Sequence, residues 1–295
     1  MFQIEWVKES GEIVVLRKQA PLLKGEILEE KVEDLKLEIK ALISKINELN
    51  KTLEDFDASC KKVSEMGYKV VQLSGIGNFQ GEDVKAVLDK YNLVCACTHR
   101  APQNYLEHLD EEIEFHKTIG CKVCGLGSMP EGTKSDFQGN EGIELVEKFA
   151  KAFGPVCEKL AEHGLVFAYH NHGFEFVKIN GRYLFEELFE RMPYDNFQLI
   201  LDVYWLSSVG VDPAKFITKY KDKIACLHYK DLKVVKHKVQ TYAEVGQGNL
   251  EWDEIIAASK NSSAMYALVE QDECDKDPFE ALKISYQFLT GKGFE

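Results

Sequence analysis

The sequence contains no apolar run long enough to span a bilayer, which excludes a membrane helix. Its start, Met1-Phe2-Gln3-Ile4-Glu5-Trp6, is polar and acidic, with no basic segment leading into an apolar one. No secretory signal is therefore read, and a cytoplasmic location is expected. Positive charge is also in short supply. The net charge is −13 and the pI about 5.2, which argues against a nucleic-acid partner, because phosphate backbones are bound by basic faces. A small anionic substrate stays open if one local pocket is basic. A second Cys-x-x-Cys is missing. Cys121 and Cys124 have that spacing alone, inside a strand-like run, so the plainer reading is buried free thiols in a reducing compartment, as for Cys95, Cys97 and Cys226. The turn-rich segment Glu244-Val245-Gly246-Gln247-Gly248-Asn249 resembles an anion-binding loop only weakly, and no phosphate-binding loop is otherwise clear.

What is present is a repeating alternation of helix-like and strand-like segments from about residue 56 onward. Three helical patterns end in glycine directly before an apolar run, at Gly67, Gly120 and Gly164. Glycine supplies the left-handed turn that closes a helix. Strands are predicted at 69–73, 94–99, 122–126, 166–172, 198–203, 224–229 and 267–271. Each is short and continuously apolar, as parallel strands covered on both faces are. Amphipathic helices at 141–162 and 278–289 are among the separators. The length of 295 residues and the alternation favour an α/β fold, a (β/α)₈ TIM barrel occupying 51–295. Only seven strands are counted, so the first is atypical or missing. Residues 1–50 form an atypical N-terminal segment. Gly11 to Leu16 reads as a strand, followed by a heptad seam through Leu28, Val32, Leu35, Ile39, Leu42, Ile46, Leu49, Leu53 and Phe56. That seam suits either a coiled coil making a homodimer or one long helix lying on the barrel.

In such a barrel the active site lies at the carboxyl ends of the strands. The strands run out into Thr98-His99-Arg100, Tyr169-His170-Asn171-His172-Gly173-Phe174-Glu175, Asp202-Val203-Tyr204-Trp205, His228-Tyr229-Lys230-Asp231 and Val269-Glu270-Gln271-Asp272. His170, Asp202, His228 and Glu270, one from each of four consecutive strands, form the candidate metal site. Two imidazoles and two carboxylates suit one divalent manganese, cobalt, zinc or iron ion better than calcium. His172 lies two residues past His170 and so shares its strand face, as an alternative ligand or a substrate contact. Glu175 lies a turn further on. Lys230 would hold negative charge. His99, Tyr204, Trp205 and Lys230 are the candidate substrate contacts, the two aromatic residues as a wall for a sugar ring.

These motifs, together with Gly210-Val211-Asp212-Pro213, Gly246-Gln247-Gly248-Asn249-Leu250-Glu251-Trp252 and Asp277-Pro278-Phe279-Glu280, resemble the sugar phosphate isomerase/epimerase family of the xylose isomerase-like TIM-barrel superfamily, over roughly 52–290. The resemblance implies a divalent metal at the barrel mouth and a small carbohydrate substrate. It implies isomerisation or epimerisation through a metal-stabilised enediolate, with Glu270 as base and His172 or Glu175 as second proton carrier. Many epimerases of the superfamily carry Glu where this chain has His170, so a keto-sugar lyase, hydratase or inosose-type dehydratase is the competing expectation. A metal-dependent nuclease, which shares the barrel, needs three zincs and a basic surface. A non-catalytic barrel with an assembly helix is the remaining alternative.

Overall fold

The computed structural model describes residues 52–132, 137, 141–237 and 239–294. The expected strand at 11–16 and the heptad residues Leu28 to Leu49 lie outside them. Leu53 and Phe56 do not continue that seam. Thr52 is extended (φ −110°, ψ 158°) and caps the helix Leu53–Met66: its hydroxyl accepts from Asp55 N, and the Asp55 carboxylate accepts from Thr52 N, both at 3.1 Å. This reciprocal cap starts a new helix. Leu53 and Phe56 pack against the cluster holding Cys60, Leu73, Val84 and Leu88.

Among the described residues, seven parallel strands follow one another around the core: β1 (Val70–Ser74), β2 (Val94–His99), β3 (Val123–Leu126), β4 (Val166–His170), β7 (Phe197–Asp202), β8 (Ile224–Tyr229) and β11 (Tyr266–Val269). β3, β4, β7, β8 and β11 form one hydrogen-bonded sheet and β1 and β2 a second. A parallel bridge between Arg100 and Leu126 links them. All seven expected strands are found, within two residues at either end. Gly67, Gly120 and Gly164 take φ of 110°, 71° and 69°, the left-handed turns read from the sequence. Two short hairpins were not anticipated: β5 (Lys178–Ile179) with β6 (Arg182–Tyr183), and β9 (Asp231–Lys236) with β10 (Val239–Ala243). Both leave the barrel beyond a strand end. None of the described helices is long and apolar enough to cross a membrane.

The barrel interior is a layer of small and aliphatic side chains: Cys97, Val123, Ala168, Ile200, Cys226 and Leu268, with Val70 packed against it. Successive strand side chains alternate faces, so the residue two positions on points inward again, one layer higher. That step gives Gln72, His99, Gly125, His170, Asp202, His228 and Glu270. Asp202 pairs directly with His228, whereas His170 pairs with Ile200 and His228 with Leu268, so the polar positions climb in two-residue steps from strand to strand. Gly125 has no side chain for a spatial reason: a Cβ there would stand 1.9 Å from the Thr98 carbonyl oxygen and 2.7 Å from Ile200 Cδ1.

Beyond β4 the chain turns back on itself. The carboxylate of Glu175, fully buried, accepts from Tyr169 Oη at 2.6 Å and from His172 N at 2.8 Å. Both oxygens of the expected proton carrier are thus engaged in bracing the 170–175 turn. Burial outweighs these hydrogen bonds and pushes the carboxyl up to about 7 from its ordinary 4.5.

Two tests follow from these packing features. Gly125→Ala, whose Cβ meets backbone, should cost about 3 kcal/mol or more. Gly164→Ala, left-handed but with nothing within 4 Å, should cost about 1 kcal/mol. Urea unfolding of the two variants compares them directly. For Glu175 the folded pKa lies above the unfolded one, so its stabilising contribution is complete below pH 4.5 and is lost as pH rises through about 7. The loss is on the order of 3 kcal/mol. Unfolding midpoints measured from pH 4.5 to 8 should show this decline in the parent and a flatter profile in Glu175→Gln.

Candidate metal centre

At the mouth, one donor atom each from His170, Asp202, His228 and Glu270 can be chosen so that all four lie within 4.8 Å of one another. His170 Nε2 is 3.4 Å from Asp202 Oδ2 and 4.0 Å from Glu270 Oε2, and His228 Nδ1 is 4.0 Å from Asp202 Oδ2. His228 Nδ1 also faces Glu270 Oε2 closely. Bonds of about 2.0–2.2 Å to a shared ion would separate neighbouring donors by roughly 3 to 4 Å, so the first three spacings suit a single small divalent ion and the His228–Glu270 contact would open slightly around one. His228 Nδ1 and Glu270 Oε2 are both shielded from solvent and face each other, and neither makes a well-aligned hydrogen bond among the described residues. Buried acceptors left this way are costly unless a cation completes them. The donor set and its two unsatisfied atoms fit the expected ion.

The surroundings orient the ligands. His170 Nδ1 is 3.1 Å from the Gly127 carbonyl oxygen, which leaves Nε2 facing the other donors. Asp202 caps the helix Val203–Ser208, its Oδ1 accepting from Tyr204 N at 2.8 Å and Trp205 N at 3.2 Å, while Oδ2 faces the centre. Asn171 accepts from Asp202 N at 2.9 Å and ties β4 to β7. Burial opposes the charged form of His170, but the Asp202 hydrogen bond and the charges of Glu270 and Asp202 outweigh it and raise its pKa. Burial likewise opposes ionisation of Glu270, yet His228, His170 and Lys230 hold its carboxyl well below the usual range. Glu270 is the accessible member, with 27% of its side chain exposed, whereas the other three are buried.

Lys230, expected to hold negative charge, is buried beside the centre. Its Nζ lies 2.8 Å from Asp272 Oδ1, 3.5 Å from Asp202 Oδ2 and 3.6 Å from Glu270 Oε1. The rings of Trp205, Tyr242 and Tyr204 stand 5.3, 5.5 and 5.8 Å from it. Burial lowers its pKa, but the charges of Asp202 and Glu270 and the Asp272 hydrogen bond prevail and raise it, so the ammonium is kept. Tyr204 stacks on Tyr242 at 4.7 Å, and Trp205 leans on His172 at 5.1 Å. His172 lies past the end of β4, edge-on to His170 at 4.8 Å. Burial and the charge of His170 push its pKa down to about 3, so it stands neutral. His99 is 4.9 Å from the ring of His170 and 5.3 Å from that of His228. Burial and these two imidazoles hold it well below its ordinary pKa.

Sequence reading missed three members of the neighbourhood. Gln72 on β1 reaches His228, and with Glu270 it lines a cavity of about 250 Å³ between β1 and β11. Tyr242 arrives from the unanticipated hairpin. Asp231 occupies the glycine-rich segment's own anion seat. Its carboxylate accepts from Gly246 N at 2.9 Å, Gly248 N at 3.0 Å, Leu250 N at 3.4 Å and Trp252 Nε1 at 2.7 Å. The segment does bind an anion, and the anion is the chain's own.

Comparison with known proteins agrees with this architecture. The sequence profile of the xylose isomerase-like TIM barrel matches residues 60–289. No curated protein matches the chain. Among solved structures, the chain is similar to a sugar phosphate isomerase/epimerase from Parabacteroides distasonis, with 20% identity, 80% of this chain and 88% of that one covered, and a TM-score of 0.64. It is similar to a D-allulose 3-epimerase from a Methylomonas species, with 13% identity, 82% and 93% covered, and a TM-score of 0.62. It is also similar to the probable 3-DHS dehydratase AsbF from Bacillus anthracis, with 15% identity, 80% and 93% covered, and a TM-score of 0.61. At such identities the structural likeness shows the fold alone. The profile, by contrast, runs from the first described helix almost to the end of the last, and on that match the chain belongs to the xylose isomerase-like TIM-barrel family.

Proposed function

We propose that this protein is a divalent-metal-dependent isomerase or epimerase of a small carbohydrate, working by proton abstraction next to a carbonyl. The observation that carries the reading is the set of four convergent donor atoms at the barrel mouth with a buried ammonium beside them. His170, Asp202, His228 and Glu270 would hold one manganese, cobalt, zinc or iron ion, which when bound supplies Lewis acidity at a substrate oxygen. Glu270 is the base. It is the exposed carboxylate of the four, and its depressed pKa keeps it ionised at neutral pH. Asp202 is unsuited to that role because it is buried and one of its oxygens accepts two backbone hydrogen bonds. Lys230 lies within reach of the same face and offsets negative charge developing on the substrate oxygen. His172, neutral and beside Trp205, hydrogen-bonds a substrate hydroxyl and serves as the second proton carrier. His99, Tyr204 and Trp205 contribute to the substrate wall.

Elimination from a keto-sugar is the second reading, and one observation favours it. Position 170 holds an imidazole, so the four-donor set has one accessible carboxylate, Glu270, rather than the symmetric pair that a two-base epimerase uses. One base and one acid suffice for loss of a β-hydroxyl.

The purified protein should contain about one manganese, cobalt, zinc or iron ion per chain, and the Asp202→Ala and Glu270→Ala variants should lose it. In heavy water, with the metal restored, a substrate ketose should gain deuterium next to its carbonyl. Glu270→Gln should slow that exchange by roughly 10²–10⁴-fold. Recovery of a dehydrated, conjugated ketone would assign the elimination. A metal-free parent that takes up neither manganese nor cobalt would refute both readings.

A further inference from the structure

We infer that Gln72 is the positioning residue of this centre, one carboxamide that sets the tautomers of two histidines for opposite tasks: His228 as a lone-pair donor to the metal and His99 as a hydrogen-bond donor to the substrate. The inference rests on the metal reading of the same four ligands. Gln72 stands on β1, two residues past Val70, at the level of the ligands. Its Oε1 lies 2.7 Å from His228 Nε2 and 3.0 Å from Cys97 Sγ. Its Nε2 lies 3.3 Å from His99 Nδ1.

These contacts fix the amide's orientation. Thiols are donors, and a ligand histidine must keep one nitrogen unprotonated for the metal. With Oε1 accepting from the Cys97 thiol and from His228 Nε2–H, a metal-binding His228 ring turns its Nδ1 lone pair toward Glu270 and Asp202. The Gln72 NH₂ group then faces His99. It can only donate, so His99 Nδ1 must accept, and the single proton of neutral His99 sits on Nε2. That Nε2 atom is shielded and has no hydrogen-bond partner among the described residues. It is a buried donor awaiting an acceptor, between the rings of His170 and His228. A substrate hydroxyl or carbonyl oxygen at the mouth would supply one. No other side chain contacts both rings in this way among the described hydrogen bonds.

Two variants separate the tasks. In Gln72→Glu the carboxylate still accepts from His228 Nε2–H but can no longer donate to His99, so His99 should move its proton to Nδ1. In Gln72→Leu both contacts are lost. Imidazole ¹⁵N shifts of the zinc-loaded chain report the tautomers, chelator competition reports cobalt affinity, and far-ultraviolet circular dichroism reports folding. The parent should show Nε2–H at His228 and at His99. Gln72→Glu should retain the His228 pattern and switch His99 to Nδ1–H. Gln72→Leu should weaken cobalt binding by about 10–100-fold. If Gln72→Leu fails to fold, the His99 switch in Gln72→Glu decides alone. An Nε2–H signal at His99 that persists in Gln72→Glu, or cobalt affinity unchanged in a folded Gln72→Leu, overturns the inference. A parent that binds neither zinc nor cobalt removes the metal reading, and with it the task assigned to His228. The His99 switch, read in the metal-free chain at pH 8, then still upholds or overturns the second half.

Discussion

Everything at the mouth depends on the two-residue period of the parallel strands. An apolar layer of Cys97, Val123, Ala168, Ile200, Cys226 and Leu268 fills the barrel, and the next inward position carries a polar group on every strand but β3, which has Gly125. The lower layer closes the floor, so the groups above meet a poorly polarisable wall on one side and one another on the others. Electrostatic interactions there are stronger than in water, and each charge needs a counterpart. Asp202, Glu270 and Asp272 around Lys230, with two imidazoles between them, satisfy that need. A one-residue slip in any strand would exchange its inward and outward sets, turning a ligand toward the helices and an aliphatic side chain toward the mouth.

The four candidate ligands were legible because each closes a short apolar run. Where such a run stops, a histidine or carboxylate is conspicuous, and four at the same point of consecutive strands reinforce one another. Gln72 was not legible for the opposite reason: it sits inside its strand, followed by Leu73, and amides carry no charge to mark them. Its signal was the alternation itself, since Val70 belongs to the apolar layer and the residue two along must face the same way. Tyr242 was hidden differently. The hairpin of β9 and β10 leaves the barrel, and its exposed Val234 and Val235 give no clean alternation to read.

Two carboxylates near the strand ends prove to be braces, and the contrast with the ligands is instructive. Asp231 accepts main-chain N–H groups through both oxygens, and Glu175 accepts one main-chain N–H on one oxygen and the Tyr169 hydroxyl on the other. The ligands Asp202 and Glu270 keep at least one oxygen clear of such donors. Position along the chain cannot separate these cases. Glu175 follows His170 as closely as a catalytic group would, and only the direction of the turn after β4 reveals that it points away. Lys230 and Asp231 make the same point within two adjacent residues: alternation sends the ammonium to the mouth and the carboxylate outward to the glycine-rich segment.

The seat that Asp231 fills works as a lock with its key already inserted. Three backbone N–H groups and an indole N–H converge where an external anion would otherwise dock, and Gly248 is held so close that a Cβ would lie 2.3 Å from Asp231 Oδ1. Any oxyanion arriving there must first evict a tethered competitor, whose effective concentration no free metabolite matches. The barrel thus gains a rigid rim beside Lys230 and gives up a ready-made place for a phosphoryl tail. A descendant that came to prefer phosphorylated sugars would have to build its anion site on another loop, or release this one by losing the aspartate that shapes it.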